Sequence, residues 1–140
     1  MKLFVTAKPI QAPEGYEQVP VVYGNWDVSK VPDNACTEVI ALEALDFIDR
    51  TKNQEFLKNI VSKLRRKAIM TIVGIDLNEL ARATHLREID ASTFNSIVNE
   101  RSNISTAKEV IQTLKDFGLD IISYKTVKGM SYEIKTARKQ

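Results

Sequence analysis

The last half of the chain constrains the fold most. Ala68-Ile-Met-Thr-Ile-Val73 is its most continuous apolar run, the pattern of a central strand in a parallel sheet. Helical segments follow. Thr106-Ala-Lys-Glu109 has the spacing of a capping box, and Val110, Ile111, Leu114 and Phe117 fall on one face of the helix it opens. Gly118 stands where that helix must stop. Leu119–Val127 and Met130–Ala137 then read as two strands joined at the two-residue turn Lys128-Gly129. A parallel strand, a helix and a terminal hairpin predict a mostly parallel α/β sheet carrying one antiparallel strand.

The first half fits the same plan with less helix. Lys2–Ala7 reads as a strand, and Tyr16–Tyr23 as a second strand that Pro20 assigns to an edge or a bulge. Only the eight-residue loop Lys8–Gly15, with two prolines, separates them, too little for a full crossover helix. Val31–Ile48, introduced by Trp26-Asp27-Val28, reads as a polar turn, a short buried strand over Thr37–Leu42 and the start of a helix. Thr51-Lys-Asn-Gln54 has capping-box spacing. The helix it predicts buries Phe56, Leu57, Ile60, Val61 and Leu64 and closes on Lys63, Arg65, Arg66 and Lys67, charges suited to the negative end of a helix dipole. Asp76-Leu-Asn-Glu79 opens another helix with Leu77, Leu80, Ala81 and Thr84 inward. One more, from about Ser92 to Asn99, is expected to bury Phe94, Ile97 and Val98.

A length of 140 residues suits one domain, expected to span residues 1–140. Twenty basic and 18 acidic residues leave a net charge of +2, so there is no nucleic-acid signature and no pull toward an anionic membrane. The single Cys36 excludes an intramolecular disulfide and a multi-cysteine zinc site, and no metal site is expected. Met1–Val5 is too short for a secretory signal, and no apolar run reaches the ~18–20 residues of a membrane span. The expected location is the cytoplasm.

Local sequence adds a resemblance. Met1-Lys2-Leu3-Phe4-Val5, Gly15-Tyr16-Glu17-Gln18-Val19, Asp33-Asn34-Ala35-Cys36-Thr37-Glu38-Val39 and Ala41-Leu42-Glu43-Ala44-Leu45-Asp46-Phe47 occur in this order, followed by Leu114-Lys115-Asp116-Phe117-Gly118-Leu119 and Thr136-Ala137-Arg138-Lys139. Together with the terminal hairpin, these segments resemble the class I S-adenosylmethionine (SAM)-dependent methyltransferases, most of all the small type-11-like group. The resemblance implies a Rossmann-like three-layer α/β sheet, mostly parallel with a C-terminal antiparallel hairpin, whose first helical layer is reduced here. It also implies SAM as cofactor, no metal, and a cleft at the carboxyl ends of the strands lined by Thr6, Ala7, Lys8, Asp27, Val28, Leu42 and Glu43.

The chain departs from that family at its cofactor motif. The two glycines of the glycine-rich turn align with Thr6 and Lys8, where side chains are expected to crowd the site. The acid that ends the second strand is replaced by Pro20. The Lys-Pro-Gly-Gly turn before the central strand becomes Arg65-Arg66-Lys67-Ala68. Asp27 keeps the carboxylate that contacts an adenine amino group in the family.

Each candidate has a plainer reading. Asp27 also suits a loop acid capping local amides, Lys8 an ordinary loop lysine, and Glu43 a first-turn helix acid. His85 is read as surface, and Cys36 as a small, partly buried residue. Tyr23 and Trp26 either stack on a ligand ring or plug the space of the missing helix. No catalytic residue is identifiable, since methyl transfer rests mainly on positioning. Three functions follow as expectations. One is SAM-dependent methyl transfer to an unknown acceptor. Another is a methyltransferase-fold interaction or structural module that no longer binds SAM, with a protein partner. The third is a binder of another nucleotide or small acid that uses Lys8.

Overall fold

A computed structural model describes residues 1–127 and 130–139; the expected turn at Lys128-Gly129 lies outside the described residues. Its strands are β1 (Lys2–Thr6), β2 (Glu17–Pro20), β3 (Cys36–Leu42), β4 (Leu64–Ile75), β5 (Leu119–Val127) and β6 (Ser131–Arg138). They form one six-stranded sheet in the order β2-β1-β3-β4-β6-β5. Neighbours from β2 through β4 pair in parallel. Strand β6 runs antiparallel to both β4 and β5. The mostly parallel α/β sheet with its antiparallel terminal strand is thus the observed fold.

Helix α1 (Asn53–Lys63) crosses from β3 to β4, α2 (Leu77–His85) and α3 (Ala91–Glu100) follow β4, and α4 (Ala107–Asp116) precedes β5. Helix α4 opens on the expected capping box, with Thr106 and Glu109 each accepting from the other's backbone N–H. Gly118 ends it at a φ of +84°. No helix joins β1 to β2. Strand β2 is shorter than expected and sits at the sheet edge, where the missing N–H of Pro20 breaks no further pairing.

Burial alternates along the interior strands. Val39 and Ala41 of β3, Met70 and Ile72 of β4, and Ile134 and Thr136 of β6 are buried, together with Phe56, Leu57, Ile60, Val110 and Leu114 of the helices. The intervening residues Ile40, Leu42, Thr71 and Val73 are only half-buried, so the helices cover one face far better than the other. The loop between β2 and β3 contributes Val21, Val28 and Val31 to the buried cluster. Trp26 meets Phe56 edge to face, 5.1 Å between ring centres. Trp26 therefore belongs to the packed face, and Cys36, expected to be only partly buried, is fully buried within it, with its thiol pKa raised by burial.

Several local expectations are corrected. Asp49, not Thr51, supplies the cap before α1: its carboxylate accepts from the Thr51 N–H and hydroxyl at the start of a short 3-10 turn, Arg50–Lys52. Of the basic run only Lys63 is helical, because the chain enters β4 at Leu64 and carries Arg65, Arg66 and Lys67 into the sheet. Helix α2 buries Leu80 and Ala83 and leaves Leu77 and Ala81 exposed. Helix α3 buries nothing fully, with Phe94 and Ile97 half-buried and Val98 exposed, because it lies at the margin of the fold and not over the sheet. No helix starts at Ala44; a single 3-10 turn, Leu45–Phe47, follows β3.

Candidate functional site

Strands β1, β2, β3 and β4 end side by side, and the carboxyl edge they form carries two very different structures. Beside β1 and β2 lies an open cleft of about 530 Å³. Ala7, Val21 and Phe47 supply its apolar lining; Gly24, Asp49, Thr51, Lys52 and Ser102 complete it with Tyr23, whose side chain is 98% exposed. Tyr23 takes a left-handed φ of 51°, which turns it away from the core, so neither Tyr23 nor Trp26 fills the space. Hydrogen bonds from Thr51 hold the Asp49 carboxyl below the usual carboxylate range, so a full negative charge stays at the cleft.

Beside β3 and β4 the edge is closed by ion pairs. The Arg101 side chain is only 5% exposed. It pairs with Glu43, donates from Nε to Asp46 Oδ2 at 3.1 Å, and lies 3.7 Å from Glu100. Asp46 is buried within the first 3-10 turn, where its Oδ2 also accepts from the Ile75 N–H at 3.0 Å. Burial dominates and raises its pKa to about 6, against the opposing pull of that N–H and of Arg101. The Asp46 carbonyl accepts from the N–H groups of Ser102 and Asn103, binding the chain after α3 to the end of β3. Lys8 pairs with Glu100 at 2.5 Å, and both Lys8 and Arg101 lie over the Phe47 ring, at 5.1 and 5.4 Å.

The expected site residues are therefore divided. Ala7 lines the cleft. Thr6 does not crowd it: its buried hydroxyl donates to the Leu42 carbonyl at 2.7 Å and accepts from the Lys8 N–H at 3.1 Å, tying β1 to β3. Lys8 leans away over Phe47 toward Glu100, and Glu43 is drawn to Arg101 instead of starting a helix. Asp27 and Val28 are not brought to this cleft. They line a separate depression with Trp26, Ser29, Asn59, Ser62 and Lys63, where Asp27 accepts from the Ser29 N–H and hydroxyl. His85 is exposed at the end of α2.

Sequence reading missed Asp46, Phe47, Asp49, Arg101 and Ser102. One signal was available: Asp46 stands in the otherwise apolar Ala44-Leu45-Asp46-Phe47-Ile48, and an acid buried among such neighbours requires a partner. No group of three or more His, Cys, Asp or Glu residues arranged to hold a metal occurs among the described residues. No helix among them is long and apolar enough to cross a membrane.

No protein-family model matches the sequence, and no curated protein matches it. Solved structures do. A SAM-dependent methyltransferase from Methanosarcina mazei is similar over 89% of this chain and 68% of its own, at 15% identity and a TM-score of 0.61. In the complex between the methyltransferase activator and the methyltransferase of Haloferax volcanii, the similarity covers 93% of this chain and 64% of the other, at 9% identity and a TM-score of 0.63. The cyclase SpnF is similar over 89% of this chain and 56% of its own, at 11% identity and a TM-score of 0.59. At such identities the likeness is one of fold, and the chain spans roughly half to two-thirds of these proteins' length. What the similar structures share with this chain is the class I methyltransferase-like fold.

Proposed function

We propose that the cleft beside β1 and β2 binds an adenosyl sulfonium ligand of the SAM type and that the protein is a methyltransferase. The observation that carries this reading is that the cleft is open, although the sequence lacks the family's glycine-rich turn. Its volume falls within the ~300–1,000 Å³ of ordinary small-molecule sites. Its residues fit the ligand's chemistry. Ala7, Val21 and Phe47 offer apolar surface to a base, and the exposed Tyr23 ring offers a stacking face. Asp49 supplies a carboxylate to the ribose hydroxyls or the sulfonium charge. Thr6 and Leu42 fix the strand ends beneath the cleft, and Lys8 and Glu43 hold its far wall through Glu100 and Arg101. Asp27 and Val28 lie outside this arrangement.

Held by Ala7, Val21, Tyr23, Phe47 and Asp49, SAM would supply an electrophilic methyl group to an acceptor's lone pair, with sulfur keeping the electrons of the broken carbon–sulfur bond and solvent taking the acceptor's proton. The chain's part is to align the two reactants and exclude water. Partners on this reading are the methyl acceptor and, by analogy with the Haloferax volcanii complex, an activator protein.

Calorimetry with S-adenosylhomocysteine at millimolar concentration tests the reading. Binding is expected, weakened about tenfold in Asp49→Asn and unchanged in Asp27→Asn. Absence of binding removes the enzyme reading and leaves the alternative, a methyltransferase-fold interaction or structural module without SAM.

A further inference from the structure

A second cavity, of about 330 Å³, opens between α2, α3 and the segment after α3. Leu77, Leu80, Phe94, Val98 and Ile104 give it an apolar lining, completed by Arg101, Ser102 and Asn103. Arg101 is the one charged residue of the eight, and its guanidinium is already committed to Glu43 and Asp46. An incoming anion finds no free cation there, and a cation finds no free carboxylate.

Ser102 lines both this groove and the cleft beside β1, so the two cavities meet at one residue. Its backbone is fixed by the bond from its N–H to the Asp46 carbonyl. Apart from Leu80, the apolar residues of the groove also lack the burial of a core. Leu77 is 43% exposed, Val98 is 37% exposed, and α3 buries no residue fully. A helix that leaves its apolar side uncovered beside a cavity gains by receiving an apolar ligand.

We propose that this groove binds an uncharged, largely apolar small molecule of about one or two rings, with a hydroxyl or amine directed toward Ser102. Its role as methyl acceptor rests on the adenosyl reading of the adjoining cleft; its binding does not. Phe94, Val98 and Leu77 contact the ring. The ion-paired Arg101 forms a wall that selects against charged analogues, because either sign would lose hydration without gaining a partner. The reacting hydroxyl or amine lies on the side of the groove where Ser102 joins the cleft.

Amide chemical shifts of the full chain, titrated separately with phenol, benzoate and benzylammonium, test this directly. Phenol is expected to shift Leu77, Phe94, Val98 and Asn103, with at least tenfold higher affinity than either charged probe. Val98→Glu and Leu77→Glu, both at exposed positions, are expected to weaken phenol at least tenfold while leaving the β4 and β6 amides in place. Equal or tighter binding of benzoate or benzylammonium overturns the proposal. So does phenol binding elsewhere, no phenol binding, or a phenol response that survives both substitutions with the sheet intact. A parallel titration with S-adenosylhomocysteine reads Ala7 and Gly24. Loss of that response alone defeats the cofactor reading and leaves the groove standing, whereas loss of the phenol response alone defeats the groove.

Discussion

The two halves of the carboxyl edge solve opposite problems within a few residues of each other. At β1 and β2 the chain leaves space: the connection from β1 has no helix, Tyr23 points outward, and Asp49 keeps its charge at an open cleft. At β3 and β4 it removes space, with Arg101 clamped by Glu43 and Asp46 and the Asp46 carbonyl holding Ser102 and Asn103. Phe47 belongs to both, lining the cleft while Lys8 and Arg101 lie over its ring. The difference suggests a division of work, in which the closed half supplies the rigidity that the missing helices do not and the open half remains available to a ligand.

The largest effect is expected from opening the closed half. Arg101→Met leaves the buried Asp46 and the partly buried Glu43 without their cation. Breaking a buried pair from one side costs about 3–5 kcal/mol, to be read as a lower urea midpoint. Adding Asp46→Asn to that variant is expected to restore part of the loss. If Arg101→Met costs less than about 1 kcal/mol, the closed half is not what braces this edge.

Gly74 gives the next largest effect. A Cβ at this position would stand 2.6 Å from both Asp46 Oδ1 and the Tyr132 hydroxyl. Asp46 is held by Ile75 and Arg101, and Tyr132 is fully enclosed with no hydrogen-bond partner for its hydroxyl among the described residues, so neither side chain yields easily. Gly74→Ala is expected to cost about 1–3 kcal/mol, the usual range for overpacking a filled core. Thermal unfolding checks it, and a variant as stable as the parent means the two side chains can swing aside.

A smaller effect is expected from pH. The Asp46 pKa is raised from an ordinary 3.8 to about 6, so the fold favours its neutral form. The resulting stability is fully present below pH ~3.8 and is lost as pH rises through about 6. Between pH 5 and 7 this amounts to about 1–2 kcal/mol, with the higher stability at pH 5. Glu100 and Glu109 have lowered pKa values from their partners Lys8 and Arg50, so their contributions are lost only at lower pH and do not oppose the trend in this window. Urea midpoints across pH 5 to 7 are expected to lose this slope in Asp46→Asn.

The sequence made the sheet legible and the site only in part, for a physical reason. Terminal strands, the Thr106 capping box and the Gly118 stop depend on neighbours within a few residues, and periodicity reports such neighbours well. The Arg101 clamp joins residues 55 and 58 positions apart, which no local pattern records. Thr6 shows the same limit from the other side. A side chain in place of a loop glycine was expected to crowd the cleft, but the Leu42 carbonyl draws its hydroxyl inward. Helix α3 misled in turn, because its amphipathic spacing does not say how much protein stands opposite its apolar face.

The smallest effect on stability, and the sharpest test of the open half, is expected at Tyr23. The ring is 98% exposed, so removing it deletes almost no packing. Its φ of 51° is one that asparagine tolerates well, so Tyr23→Asn preserves the turn and is expected to change stability by no more than about 0.5 kcal/mol. If the ring stacks on an adenine, its loss removes about 1–3 kcal/mol of binding, the scale of base–aromatic stacking. Calorimetry should then record roughly five- to 150-fold weaker S-adenosylhomocysteine binding in a protein that unfolds at the parent's urea midpoint. Unchanged affinity would move the adenine away from Tyr23 and toward the Ala7, Val21 and Phe47 surface. A lower midpoint would show that the open half also carries structure, and the division between the two halves of the edge would fail.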